Sequence, residues 1–320
     1  MECCVRVWLL ALRLVGTPRG KDTVAEMGLA QAPALTAKGA APPHLRIEPV
    51  SGAIGAEIHG LDLSADLDAP TIAALRRALL DHCVIFFRDQ RLDVGWHKAF
   101  AARFGEIFLH PNLAGSAADP AVIDIIRQPG DRKVIGEDWH SDTPQVAEPP
   151  MGSMLYAVEV PPYGGDTAFA SQYLAYEALS PGLKAMLSGL RALQSDRHVA
   201  GPARDLGASN AARRVDDKPW RETANHHPVA RTHPETGRKA LFVNRQTTIA
   251  FEGMTEEESR PLLDYLCAHA NRPEFTCRFR WRTGSLAFWD NRCAQHLAIN
   301  DGVPARRVMR RVQIVGDKPF

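Results

Sequence analysis

The chain has 320 residues, of which 45 % are hydrophobic, with 38 Lys and Arg against 37 Asp and Glu. That balance excludes a global electrostatic attraction to nucleic acid or to acidic membranes, so any preference for anions must be built locally. Six cysteines, Cys3, Cys4, Cys83, Cys267, Cys277 and Cys293, show neither paired metal spacing nor a disulfide framework, which suits a reducing cytoplasm.

In chain order, the apolar stretch Val7 to Leu12 is flanked by Arg6 and Arg13 and is too short to span a bilayer. Ala30 to Pro43 is rich in Ala and Pro and reads as a linker. Residues 1–43 are therefore expected to be an unstructured or misassigned extension, with Met27 a candidate start, before a single domain over residues 44–320. Leu45 to Ile58 predicts opening strands. Pro70 to His82 carries Leu75, Leu79 and Leu80 at helical spacing, Val84-Ile85-Phe86-Phe87 reads as a buried strand, and Trp96 to Phe104 as a second helix.

Asp138-Trp139-His140-Ser141-Asp142 carries the first chemistry. As a strand, its period of two places His140 and Asp142 on one face. A second imidazole from elsewhere would complete a two-histidine, one-carboxylate facial triad with open coordination positions, the arrangement of non-haem Fe(II) oxygenases. Gln295-His296 is the downstream candidate.

Further along, Tyr173 to Leu190 predicts a helix that restarts at Ser180-Pro181, where Ser caps and Pro occupies the first turn. Residues 198–225 lack periodicity and read as a lid or a solvated loop. His226-His227 face opposite sides of an extended segment and cannot share a metal; with His233 they read as loop or strand-end residues. Thr255 to Glu258 is a capping box ahead of a helix bearing Leu262, Leu263 and Leu266. Phe275, Cys277, Phe279 and Trp281 alternate with polar residues as a half-buried strand, and Ser285 to Trp289 adds another before the turn Asp290-Asn291-Arg292. Cys293 reads as packing. In the last strand, Arg306 to Val315, Arg307, Met309, Arg311 and Gln313 share a face, and the two arginines lie about 13 Å apart at ~3.3 Å per residue. Guanidinium groups so placed suit two separate anionic groups. Many strands with short turns indicate a jelly-roll able to enclose a ligand between its sheets.

From about Leu45 to Phe320 the chain resembles the taurine dioxygenase and aryloxyalkanoate dioxygenase family of Fe(II)/2-oxoglutarate-dependent oxygenases. The likeness rests on Phe104-Gly105-Glu106 with His110-Pro111, Trp139-His140-Ser141-Asp142, Gly164-Gly165-Asp166-Thr167, Leu241-Phe242-Val243-Asn244, Trp289-Asp290-Asn291-Arg292 with Gln295-His296, and Arg306-Arg307-Val308-Met309, in this order. The resemblance implies a mainly β fold with flanking helices, a double-stranded β-helix or cupin-like barrel. It implies Fe(II) held by His140, Asp142 and His296, with O2 and 2-oxoglutarate as cosubstrates. Arg307 and Thr167 would hold the far carboxylate of 2-oxoglutarate, and Arg311 and His110, joined by Arg245, would meet a small anionic organic substrate.

The chain departs from many members where Thr143-Pro144-Gln145 follows the first ligand pair, at Thr247 where Phe is common, and at Leu113 where taurine-type enzymes carry Tyr. The ligands and the cosubstrate arginine are untouched, so the expectation is hydroxylation of a sulfonate, alkyl sulfate or aryloxyalkanoate with release of succinate and CO2. A zinc hydrolase using the same triad, or a non-catalytic anion-binding barrel, are the alternatives. No nucleic-acid or membrane partner is expected, and a homo-oligomer is left open.

Overall fold

The computed structural model describes residues 45–201 and 220–320. The chain opens with β1 (Arg46–Pro49) and β2 (Ala56–His59), α1 (Ala69–His82), β3 (Val84–Phe87), α2 (Val94–Ala102), β4 (Ile107–Phe108) and β5 (Ile123–Arg127). Next come β6 (Gly152–Glu159), β7 (Thr167–Ser171), α3 (Gln172–Glu177), α4 (Pro181–Leu187), β8 (Arg191–Ser195), β9 (Ala224–Pro228), β10 (Ala230–Thr232) and β11 (Lys239–Leu241). The last third holds β12 (Thr248–Phe251), α5 (Glu256–Ala270), β13 (Thr276–Phe279), β14 (Leu286–Asp290), β15 (Ala294–Ala298) and β16 (Arg307–Ile314).

Local chemistry sets most boundaries. Asp68, Asp93, Ser171 and Ser180 each accept a backbone N–H at a helix start, and Thr255 and Glu258 form the reciprocal capping box of α5. The Asp93 cap starts α2 two residues before the hydrophobic spacing alone indicates. The expected break at Ser180-Pro181 separates α3 from α4.

The large sheet runs β1-β2-β3-β14-β6-β16-β4, with β5 also paired to β16, and a smaller sheet runs β13-β7-β15. Between them lies one apolar cluster containing Phe86, Trp289 and Met309 from the large sheet and Phe169, Cys277 and Phe279 from the small one. The other face of the large sheet packs Phe87, Phe288 and Val312 against Leu75 and Leu79 of α1 and Phe100 of α2. A third cluster joins α3, α4 and α5 to β8, β11 and β12. The result is a mainly β protein with helices outside two facing sheets, and its inner layer carries the side chains of interest. Among the described residues no helix is long and apolar enough to cross a membrane. The predicted lid over 198–225 falls largely on residues 202–219, outside the described residues, as does the extension over 1–43.

Candidate active site

His140 is not part of a continuous strand. It forms a single antiparallel bridge with His296, His140 N–H donating to His296 C=O (3.1 Å) and His296 N–H to His140 C=O (2.8 Å). The strand expected over 138–142 is therefore reduced to one bridging residue, because the chain leaves the extended region at Thr143, whose φ is +50°. The consequence drawn from it still holds, since His140 and Asp142 reach a common point. On the approach, Gly136 (φ +81°) has no room for a side chain: a Cβ there would lie 2.9 Å from Cε1 of His140.

The donor atoms of His140, Asp142 and His296 all lie within 4.8 Å of one another. Asp142 Oδ1 is 3.9 Å from His140 Nε2 and 4.0 Å from His296 Nε2. His140 Nδ1 donates to the Asp138 carbonyl at 2.7 Å, which leaves the Nε2 lone pair facing the carboxylate. Gln246 Nε2 donates to the same carbonyl, tying this segment to the turn after β11. Burial pushes both imidazoles down, His296 to about 3, so both are neutral donors. Burial alone would raise the Asp142 carboxyl, but the Arg311 charge, helped by the Ser153 hydrogen bond, outweighs it and holds the group well below the usual carboxylate range. Two neutral imidazoles and one ionised carboxylate are the donor set of a divalent metal with open positions.

The carboxylate is held from behind. Ser153 Oγ donates to Asp142 Oδ2 at 2.5 Å and accepts from Asn291 Nδ2 (3.2 Å) and Gln313 Nε2 (3.1 Å). Asn291 Oδ1 in turn accepts from Trp289 Nε1 and from the Asp142 N–H. Asn291 enters the sequence reading only as part of the Trp289-Asp290-Asn291-Arg292 motif and Ser153 not at all; a serine inside the otherwise apolar, fully buried start of β6 is the available signal.

On β16, Arg307, Met309, Arg311 and Gln313 share the inner face, as their spacing predicts. Arg311 Nη1 lies 3.0 Å from Asp142 Oδ1. His110, whose Nδ1 accepts from the Asn112 and Leu113 N–H groups, lies near Arg311 and Asp142; burial first and Arg311 second push it down to about 3. Arg307 is 8 % exposed, and its Nε and Nη2 are buried without a hydrogen-bond partner. Its guanidinium lies 5.8 Å over the Trp281 ring, and Trp281 Nε1 donates to Thr167 Oγ1 at 2.9 Å, so Thr167 and Arg307 border one region. A buried guanidinium without an acceptor is costly, and an anion is what satisfies it. The site thus fits both a divalent metal and a carboxylate-bearing cosubstrate.

Arg245 is not brought to this cluster. Its side chain is 65 % exposed and pairs with Asp264 of α5 at 3.3 Å. Another group of donors, His233, Asp290 and Cys293, is structural. Asp290 accepts from Arg292 N and Nε at Oδ1, and from Arg292 Nη2 and His233 Nε2 at Oδ2, which saturates the carboxylate. His233 is fully buried rather than at a loop surface, while burial raises the Cys293 thiol, in keeping with its packing role.

The model of the "Taurine catabolism dioxygenase TauD, TfdA family" matches residues 46–313. The chain belongs to this family. An α-ketoglutarate-dependent sulfate ester dioxygenase of Pseudomonas putida is 36 % identical over 283 residues, covering 86 % of this chain and 91 % of that protein. An alkylsulfatase of Acinetobacter baylyi is 34 % identical, covering 85 % and 86 %. The crystal structure of a taurine dioxygenase from Burkholderia xenovorans superimposes with a TM-score of 0.72 at 38 % identity, covering 87 % of this chain and 93 % of that one. The protein is accordingly a 2-oxoglutarate-dependent dioxygenase, an oxidoreductase with a cupin-type fold. In this dioxygenase the three convergent donor side chains and the buried Arg307 come from β15, β16 and the segment preceding β6.

Proposed function

We propose that the dioxygenase hydroxylates a small anionic organic substrate, with an alkyl sulfate ester the leading class and sulfonates and aryloxyalkanoates the others. His140, Asp142 and His296 hold Fe(II). Arg307 and the Thr167 hydroxyl hold the distal carboxylate of 2-oxoglutarate, and Arg311 and His110 receive the anionic group of the substrate. The observation that carries this reading is the placement of Arg311 3.0 Å from Asp142 Oδ1, which puts a permanent cation against the metal donors while Arg307, four residues earlier on β16, is left without an acceptor.

Iron, when bound, supplies oxygen activation coupled to decarboxylation of 2-oxoglutarate to succinate and CO2. The protein's share is positioning. Arg311 fixes the anionic end of the substrate, so the carbon next to it faces the metal donors. His110 is neutral and contributes a hydrogen-bonding atom, not charge. Met309, between the two arginines on β16, and Trp289 and Phe169 beside His296 keep the inner wall apolar. Where the hydroxylated carbon carries an ester oxygen, the product collapses to a carbonyl compound and free sulfate. The names of the relatives, a sulfate ester dioxygenase and an alkylsulfatase, support that class.

In this reading the two facing sheets are the halves of a double-stranded β-helix, residues 44–320 act as one catalytic domain, and the enzyme works in the cytoplasm without nucleic-acid or membrane partners. A zinc hydrolase would have no use for an acceptor-free Arg307, and a passive anion-binding barrel none for three convergent metal donors. The test is oxygen consumption and succinate release by anaerobically Fe(II)-loaded protein across alkyl sulfates, sulfonates and aryloxyalkanoates. Stimulation by alkyl sulfates that is lost in Asp142→Ala is expected. Substrate-dependent succinate formation that survives Asp142→Ala would sink the assignment of the metal site.

A further inference from the structure

Arg307 does not stand alone. β16 and β5 pair antiparallel in a register that sets Arg307 directly opposite Arg127. Residues directly opposite in such a pair project to the same face, with Cβ atoms about 5 Å apart. The face is the inner one: two residues back on β5, Ile125 lies opposite Met309 and packs against the same buried cluster of which Met309 is part. Two guanidinium groups are therefore brought side by side at the end of the site where Arg307 lies.

Like charges directly across a strand pair are destabilising unless something compensates them. Among the described residues no side chain does so by hydrogen bonding. Arg127 Nε, like Arg307 Nε and Nη2, is buried without a partner. The nearby carboxylates act on Arg307 through space but make no hydrogen bond to it: Asp166 Oδ2 accepts from Arg278 at 2.7 Å while its buried Oδ1 has no hydrogen-bond partner, and both oxygens of Asp301 accept from the Gly165 N–H. Burial and then the Arg127 charge depress Arg307 to about 10, outweighing the opposing pull of Asp166 and Asp301, so the two guanidinium groups repel in the absence of an anion. A single carboxylate has two oxygens and about four acceptor sites, enough for two guanidinium forks.

We infer that Arg127 is a second anchor for the distal carboxylate of 2-oxoglutarate, sharing that group with Arg307 across the β5–β16 pair. The inference rests on the reading of the site given above. It makes the cosubstrate pocket a two-arginine clamp and gives β5, which supplies no metal donor, a direct part in binding.

The experiment is calorimetric titration of Mn(II)-loaded protein with 2-oxoglutarate and, separately, with pyruvate, a 2-oxo acid that lacks the distal carboxylate. Wild type, Arg127→Gln and Arg127→Lys are compared. Loss of one charge-assisted hydrogen bond predicts a Kd for 2-oxoglutarate raised about tenfold or more in Arg127→Gln. Pyruvate binding is unchanged. Arg127→Lys, which keeps the charge but not the fork, loses less and serves as the test if the Gln variant does not fold. Without cosubstrate, Arg127→Gln melts no lower than wild type, because a repulsion has been removed, whereas a purely structural arginine would leave a less stable protein. Tight wild-type binding of 2-oxoglutarate with unchanged affinity in both variants overturns this inference alone. Failure of the wild type to bind 2-oxoglutarate brings down the reading of the site, and this inference with it.

Discussion

Arg311 and Asp142 are joined by a 3.0 Å contact between Nη1 and Oδ1, the same oxygen that faces Nε2 of both His140 and His296. The guanidinium and a metal ion therefore compete for one carboxylate oxygen. Placing a divalent cation at that oxygen disfavours the arginine's position and releases it toward an incoming anion. Arg311→Gln should accordingly bind Mn(II) more tightly, by about tenfold for a pK-sized change in the field at the carboxylate, while losing stimulation of turnover by the anionic substrate. Weaker metal binding in this variant would show that Arg311 supports the ligand set instead of opposing it.

Ser153 is the hub that aims the carboxylate, donating to Asp142 Oδ2 and accepting from Asn291 and Gln313. Ser153→Ala leaves two buried amides without an acceptor, an effect of about 1–3 kcal/mol on stability. Loss of the hydrogen bond that orients a ligand typically weakens metal affinity about ten- to a hundredfold. Both are measurable on one preparation, by thermal unfolding and by metal titration. An affinity equal to wild type would remove Ser153 from the site.

Trp281 connects Thr167 to Arg307 through an Nε1–Oγ1 hydrogen bond and a ring lying under the guanidinium. With the indole N–H filling one acceptor site of the Thr167 oxygen, the hydroxyl proton is free to point at a cosubstrate carboxylate. Trp281→Phe keeps most of the ring and deletes the donor. The expected result is a Kd for 2-oxoglutarate raised about three- to tenfold, the worth of a neutral hydrogen bond, with metal affinity unchanged. Equal effects on both ligands would point to a general collapse of the pocket.

Stability should rise with pH across the acidic range. Burial depresses His97, His110 and His296 to about 3 and His227 to about 4. In the unfolded chain these imidazoles take up protons below their ordinary value of 6.5, while the folded protein does not. Their contribution is thus fully present above pH 6.5 and lost as pH falls toward about 4 for His227 and about 3 for the other three, at about 1.4 kcal/mol per pH unit for each group. His97 of α2 is completely buried, and neither ring nitrogen has a hydrogen-bond partner. In metal-free His97→Leu the stability difference between pH 7 and pH 5 should shrink by about 2 kcal/mol, read from denaturant unfolding at the two pH values. An unchanged difference would mean that His97 is protonated in the fold.

The alternation in β16 made Arg307 and Arg311 legible as two anion anchors on one face, because a period of two needs only local information. The capping residues of α4 and α5 were legible for the same reason. His140 and Asp142 were found through a strand that turned out to be one bridging residue. The pairing of their side chains survives because the chain stays extended just far enough before Thr143 reverses it. What escaped notice depends on register. Arg127 gains its meaning only from lying opposite Arg307, and Ser153 only from the three side chains that meet it, and neither relation is written in the local pattern. Arg245 shows the converse: its neighbours Val243 and Asn244 match the family, yet α5 offers Asp264 to its guanidinium.

The two reciprocal backbone hydrogen bonds between His140 and His296 join positions almost half the chain apart. Two of the three proposed metal donors are thereby registered by main chain alone, before any ion arrives. During synthesis, a ribosome-bound chain that has emerged as far as α5 carries His140 and Asp142 but neither the closing histidine nor the arginines of β16. In the proposed site, competence for iron and oxygen is consequently conferred only once β15 and β16 have followed α5, which spares the growing chain an unclosed, redox-active centre.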